Sequence, residues 1–112
     1  MYLRGDFNGD SSNDIAVLVT EKTSNKLGII VLHFGTNDTF ILGAGKIVGN
    51  GGDDFNWMTN WDVKRKEKVG QGADGKPPPI LIGESLFVEK AESASAIICW
   101  DGRKYIWYQQ GD

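Results

Sequence analysis

The sequence predicts a mainly β domain, built from two antiparallel meanders that form a sandwich or a partly open barrel. Three observations carry that expectation. β-Branched and large apolar residues cluster in short runs on either side of a glycine-rich middle. Turn-forming residues separate those runs. Only one segment, near residues 53–60, offers a helical pattern.

The first meander reads as three strands between residues 14 and 42. "DIAVLVTEK" and "LGIIVLHF" are joined through the turn residues of "KTSNK", and "TFILG" follows the turn cluster "GTND". In the first of these runs both alternation sets are apolar. Ile15, Val17 and Val19 lie on one face, Ala16 and Leu18 on the other. A strand of that kind is expected to be covered on both sides, so a second layer is required. The second meander occupies the C-terminal third. "ILIGESLFVEK" reads as one strand, and "SASAIICW" and "KYIWYQQ" as two more. Asp101-Gly102 lies between the last two. Asp-Gly between apolar runs signals a two-residue type I′ hairpin, whose central residues need positive φ.

Between the meanders, eight of the fifteen glycines fall between Gly43 and Gly75. "GNGG" reads as a chain reversal or a loop in close approach to something. "DDFNWMTNW" fits a short helical turn capped by Asp53 or Asp54, with Phe55, Met58 and Trp61 on one face. The alternation of Trp57, Thr59, Trp61 and Val63 fits a strand as well. A strand through "WDVKRKEKV" follows, and then "GKPPP", an extended polyproline-like connection. The basic run at 64–68 reads as a solvated edge guarded by lysines.

The chain has 112 residues, which suits one domain spanning 1–112. Hydrophobic content of 40% and charged content of 24% are ordinary for a soluble globular domain. A net charge of −3 argues against nucleic acid, which selects a basic footprint. No stretch is long and apolar enough to span a membrane, so membrane insertion is not expected. "MYLRGD" has no hydrophobic core and shows no signal peptide, so the chain is expected to be cytosolic, or a mature form whose signal was removed. The single cysteine, Cys99, sits in an apolar strand pattern and reads as a buried, inert thiol.

The chemistry-bearing pattern lies near the start, in "RGDFNGDSSNDIAVLV". Calcium takes six to eight hard oxygen ligands, often from a loop that offers side chains at alternate positions. Asp6, Asn8 and Asp10 have that spacing. The carbonyl of Ser12 would be a fourth ligand and Asp14 a fifth. Three carboxylates within nine residues repel one another unless a cation neutralises them. The loop is not an EF-hand: Val17 stands where the bidentate Glu belongs, and a strand follows instead of a helix. A polar turn held by side-chain to backbone bonds is the metal-free reading of the same residues.

"GDFNGDSSNDIAVLV" resembles the loop and strand of FG-GAP-type repeats, the integrin-like calcium-loop repeats. Their pattern is Asp-x-(Asp/Asn)-x-Asp-Gly-x-x-Asp before an apolar strand. The resemblance covers residues 4–19 and implies that Asp6, Asn8, Asp10 and Asp14 are side-chain calcium ligands. It also implies a periplasmic or secreted, bacterial setting. Ser11 stands where the family usually has Gly, so closure of the loop depends on that residue. The motif occurs once, in a chain too short for a closed propeller of four or more blades, so a loop and not a fold is carried over. The RGD tripeptide shares Asp6 with the loop, and a metal ligand is not free to engage a receptor.

Four tryptophans, Trp57, Trp61, Trp100 and Trp107, are many for this length. Most are expected in the core. With neighbouring tyrosines and Phe55 they could instead line a glycan or peptide groove. The candidate ligand surface is Asp53, Asp54, Trp57, Trp61 and Trp107. Enzyme chemistry has little footing. His33 is the single histidine and reads as a packed strand residue. Glu84 and Glu89 would serve as paired carboxylates only across a cleft. No phosphate loop or dinucleotide fingerprint is present.

The function expected from these features is a non-catalytic, calcium-stabilised interaction module with a protein or glycan partner. Calcium is its expected cofactor, in a structural role. The alternatives are an inhibitor or immunity-type protein acting on an exported enzyme, and a small hydrolase using His33 with a carboxylate.

Overall fold

A computed structural model describes residues 1–111. The first meander is β1 (Tyr2–Gly5), β2 (Asp14–Thr20), β3 (Leu27–Leu32) and β4 (Thr39–Gly43). The second is β5 (Asn60–Lys64), β6 (Ser85–Lys90), β7 (Ala94–Trp100) and β8 (Tyr105–Gly111). Each forms a four-stranded antiparallel sheet with its strands in chain order. Two 3-10 turns, Gly49–Gly51 and Phe55–Trp57, lie between them. The second falls inside the segment expected to be helical, and the Asp54 carboxylate caps it by accepting from the Asn56 N–H.

The two sheets share one apolar core. Alternation directs Ala16 of β2, Ile29 and Val31 of β3 and Leu42 of β4 inward from the first sheet. Leu86 and Val88 of β6, Ala96 and Ile98 of β7 and Tyr105 of β8 meet them from the second. Phe7 and Phe55, both fully buried, enter from the connecting segments. Each such side chain stabilises the fold by roughly 1.5–3 kcal/mol relative to exposure. All four tryptophans pack against this core and are half-buried.

The structure corrects the strand reading at four places. β1 adds a fourth strand to the first meander, through the pairs Tyr2↔Val17 and Arg4↔Ile15. The strand expected from residue 80 begins at Ser85, and Ile80 is 95% exposed. The strand expected through residue 69 ends at Lys64, while Val69 turns inward to a second core. The last hairpin is present, but its loop has four residues, Asp101 to Lys104, closed by Trp100↔Tyr105. The Asp101 carboxylate accepts from the N–H groups of both Arg103 and Lys104 (2.8 Å each). That side-chain turn takes the place of the type I′ geometry.

Cover is unequal between the sheets. The outer face of the second sheet carries Phe87, Ile97, Cys99, Ile106 and Tyr108, and the long 65–84 connection lays Val69 and Leu81 over it. The first sheet was expected to be covered on both sides. Its outer face is open: Tyr2 is 57%, Leu32 38% and Ile41 44% exposed, and Ile15, Val17, Val19 and Ile30 are half-buried. The segment long enough to cover a sheet is spent on the other one. Burial holds the Cys99 thiol up at about 11, with the Asp101 charge adding to it, so the thiol stays protonated near neutrality.

The two faces of the first sheet make a direct comparison. Ile29→Ala, at a fully buried inner position, is expected to cost about 2–4 kcal/mol in urea denaturation. Ile41→Ala, on the open face, is expected to cost less than about 1 kcal/mol. Equal losses would mean that the outer face is covered after all.

Candidate functional site

The N-terminal loop leaves β1 at Gly5 and re-enters the sheet at Asp14, directly opposite it in the register. The pairing therefore fixes both ends of the loop. Each of Asp6, Asp10 and Asp14 places a carboxylate oxygen within 4.8 Å of the others. Calcium–oxygen bonds run about 2.3–2.6 Å, so two ligands on one ion are separated by at most about 5 Å. The three carboxylates thus fit one coordination sphere. The donors are all oxygen, which suits calcium better than a soft, sulfur-seeking metal.

Backbone amides order the carboxylates. The Asp10 N–H donates to Asp6 Oδ1 (3.1 Å) and to Asn8 Oδ1 (3.3 Å), and the Ser11 N–H donates to Asp6 Oδ2 (2.9 Å). The Ser12 N–H donates to Asp10 Oδ1 (2.9 Å). Asp14 is fully buried, and its two oxygens accept from the N–H groups of Phe7 (3.0 Å) and Phe34 (3.2 Å). Each carboxylate oxygen has a second lone pair, so these bonds leave room for a cation. The sequence left the closure of the loop to Ser11. It closes with Ser11 at φ 70°, the left-handed region that glycine adopts freely and other residues enter at a cost of roughly 1–2 kcal/mol.

The loop is also joined to the second sheet. The Asp6 N–H donates to Glu84 Oε1 (2.9 Å), and the Glu84 N–H donates to the Asp6 carbonyl (2.8 Å). Gly9 and Gly83 allow this contact. A Cβ on Gly9 would lie 2.5 Å from the Ile82 carbonyl oxygen, and one on Gly83 would lie 2.3 Å from that of Asp6. Among the described residues, the ion pairs are Lys26–Asp53, Lys64–Glu67 and Lys76–Asp74, and none reaches the loop. Burial raises the Tyr105 phenol above its ordinary value, and the negative charges of Asp14 and Asp6 add to the rise.

No protein-family model matches the chain, and searches of curated proteins and of solved structures return no match either.

The residues proposed as a ligand surface separate into three places. Asp53 pairs with Lys26; their contact raises the lysine and lowers the carboxyl relative to their ordinary values. Asp54 caps the 3-10 turn and also accepts from the Leu27 N–H (3.0 Å). Trp61 lies on the edge strand β5, packed against the main core. Trp57 and Trp107 alone come together, edge-to-face, with ring centroids 5.9 Å apart. Gly49 and Gly51 of "GNGG" lie against Trp107: a Cβ on either would fall 2.5 Å from its side chain. A cleft of about 550 Å³ opens beside this pair.

His33 is buried against Phe40, Trp100 and Tyr105, and its Nε2 bonds the Tyr105 hydroxyl. Glu84 precedes β6 and Glu89 lies within it, five residues on, so the strand separates them by roughly 16 Å. That exceeds the spacing of a glycosidase pair. Glu84 is the neighbour of the loop that sequence reasoning missed, because nothing local to "IGES" marks a contact with residue 6.

Ser11 provides a sharp test of the loop geometry. Ser11→Gly relieves the left-handed strain but adds unfolded-state freedom, for a net gain of about 0.5 kcal/mol. Thermal denaturation should show a rise of roughly 2–4 °C. A fall on this substitution would show that Ser11 does not occupy the left-handed region.

Proposed function

We propose that the protein is a small, non-catalytic interaction module whose fold is tightened by one structural calcium ion. Asp6, Asp10 and Asp14 would hold the ion, with Asn8 and the Ser12 carbonyl as the further ligands that the loop pattern implies. The observation that carries this reading is the convergence of the three carboxylates within 4.8 Å in a loop ordered by backbone amides. The resemblance of residues 4–19 to FG-GAP-type loops points the same way. Calcium would supply the positive charge that the loop lacks and no catalytic chemistry.

A non-catalytic role is supported by the burial of His33 in an aromatic cluster. An interaction role is supported by the open apolar face of the first sheet and by the Trp57–Trp107 cleft, which fit a protein or a glycan partner. A periplasmic or secreted setting suits a small exposed calcium loop, since extracellular modules bind this ion at about 10⁻⁴–10⁻³ M. An inhibitor or immunity-type protein would use the acidic, glycine-rich loop at 49–54. Asp53 and Asp54 of that loop are engaged with Lys26 and with backbone amides, which favours the module.

Calcium at ten times its dissociation constant contributes about 1.4 kcal/mol, or roughly 5–10 °C in melting temperature for a domain of this size. Millimolar calcium should therefore raise the melting temperature by that amount over EDTA, and magnesium should raise it less. Asp10→Ala, at an exposed position, should fold in EDTA and lose the calcium shift. Identical melting with calcium and with EDTA would remove the metal from the account.

A further inference from the structure

We propose that the cleft beside Trp57 and Trp107 is a binding site for a neutral saccharide. The proposal deepens the interaction-module reading by naming the partner class, and it rests on that reading only in assuming a binding role.

The cleft measures about 550 Å³, within the range of small-ligand sites. Its aromatic part comes from β8 and the second 3-10 turn. Trp107 is fixed by Gly49 and Gly51 lying against its ring and by its Nε1–H donating to Gln109 Oε1 (2.9 Å). Trp57 is fixed by its Nε1–H donating to the Gly51 carbonyl (3.0 Å). Both indole donors are consumed internally, so the rings offer the ligand carbon surface. The planes stand at 80° to each other. That corner has no parallel slot to sandwich a flat nucleobase, but it gives a puckered ring one face to stack on and one edge to abut.

The polar lining is Asn50, Gln109, Asp74 and Lys90. Gln109 is locked: its Oε1 also accepts from Asn50 Nδ2 (3.4 Å), and its Nε2 donates to the Ser95 carbonyl (3.3 Å) and to the Gly111 carbonyl. That leaves Asn50 Oδ1, the Asp74 carboxylate and the Lys90 ammonium. The Asp74 Oδ1 accepts from the Lys76 N–H (3.2 Å) and its Oδ2 lies 4.0 Å from the exposed Lys76 ammonium, a loose pair that leaves lone pairs open, and among the described residues Lys90 forms no ion pair. The cleft lining carries one acid and one base, so it has no net charge to favour an anion or a cation. Together they present acceptors and a donor, as hydroxyl groups require. A ligand with an apolar CH face and hydroxyl edges, and no net charge, complements this surface. A sugar ring has that form. The long 65–84 connection closes one wall through Ala73 and Asp74, and Lys90 and Ala94 at the β6–β7 turn form another.

The test is titration of the ¹⁵N-labelled protein with cellotriose, maltotriose and N,N′,N″-triacetylchitotriose, each to 10 mM, followed through the four indole N–H resonances. At least one sugar should move the Trp57 and Trp107 signals and leave those of Trp61 and Trp100 in place. Asn50→Ala and Asp74→Ala, both at exposed positions, should weaken that response by about tenfold with the melting temperature unchanged. Failure of all three sugars to move the Trp57 and Trp107 signals would overturn the proposal. So would an unaltered response in both variants, or a response of the pair to mixed tripeptides and to none of the sugars. The titration is run in calcium and in EDTA. A sugar response without a calcium effect on stability removes the metal alone, and a calcium effect without a sugar response removes the saccharide alone.

Discussion

Asp14 places a carboxylate at the mouth of a β-strand with no exposure to water. A buried charge is costly unless it is hydrogen-bonded and paired. Its two bonds come from Phe7 and Phe34, which lie on either side of it in the sheet: one in the loop before β2, the other in the turn after β3. One charge thereby ties three successive segments at one end of the first sheet. Phe7, held in this way, is fully buried in the inter-sheet core. A divalent cation among Asp6, Asp10 and Asp14 would offset the cost of burying Asp14 and hold the three carboxylates together.

The same loop reaches the second sheet through Asp6 and Glu84, with two bonds in opposite directions between their backbones and the Glu84 side chain. Glu84 immediately precedes β6, so the loop fixes where that strand begins. The 65–84 connection, anchored at this end, lies across the outer face of the second sheet and leaves that of the first open. The cleft lies elsewhere, where Gly49 and Gly51 permit the backbone to rest on Trp107. The loop that joins the sheets and the cleft thus lie in different parts of the chain.

Much of this was legible in the sequence. The residues of "TFILG" form β4 as read, and alternation in β2, β7 and β8 gives their two faces. These segments declare themselves because burial imposes a period of two. β1 was missed because four residues, two of them Arg and Gly, carry almost no periodic signal. The end of β5 and the start of β6 were misplaced because tertiary contacts set them: Val69 dives into the second core and Gly83 lies against Asp6. The convergence of Asp6, Asp10 and Asp14 was readable because these residues are neighbours in sequence. The cleft was only partly so. Trp57 and Trp107 are fifty positions apart, and Asn50, Asp74 and Lys90 bear no local mark of their meeting. "GNGG" did signal a close approach, without saying to what.

The Asp6–Glu84 bonds make the loop a clasp between the two sheets, and the proposed calcium ion would close it. Residue-resolved amide hydrogen exchange, with calcium and with EDTA, tests it most directly. Calcium should slow exchange at Phe7, Phe34 and Glu84 together, since their N–H groups bond Asp14 and Asp6. Slowing confined to residues 6–14, with Phe34 and Glu84 unchanged, would contradict it.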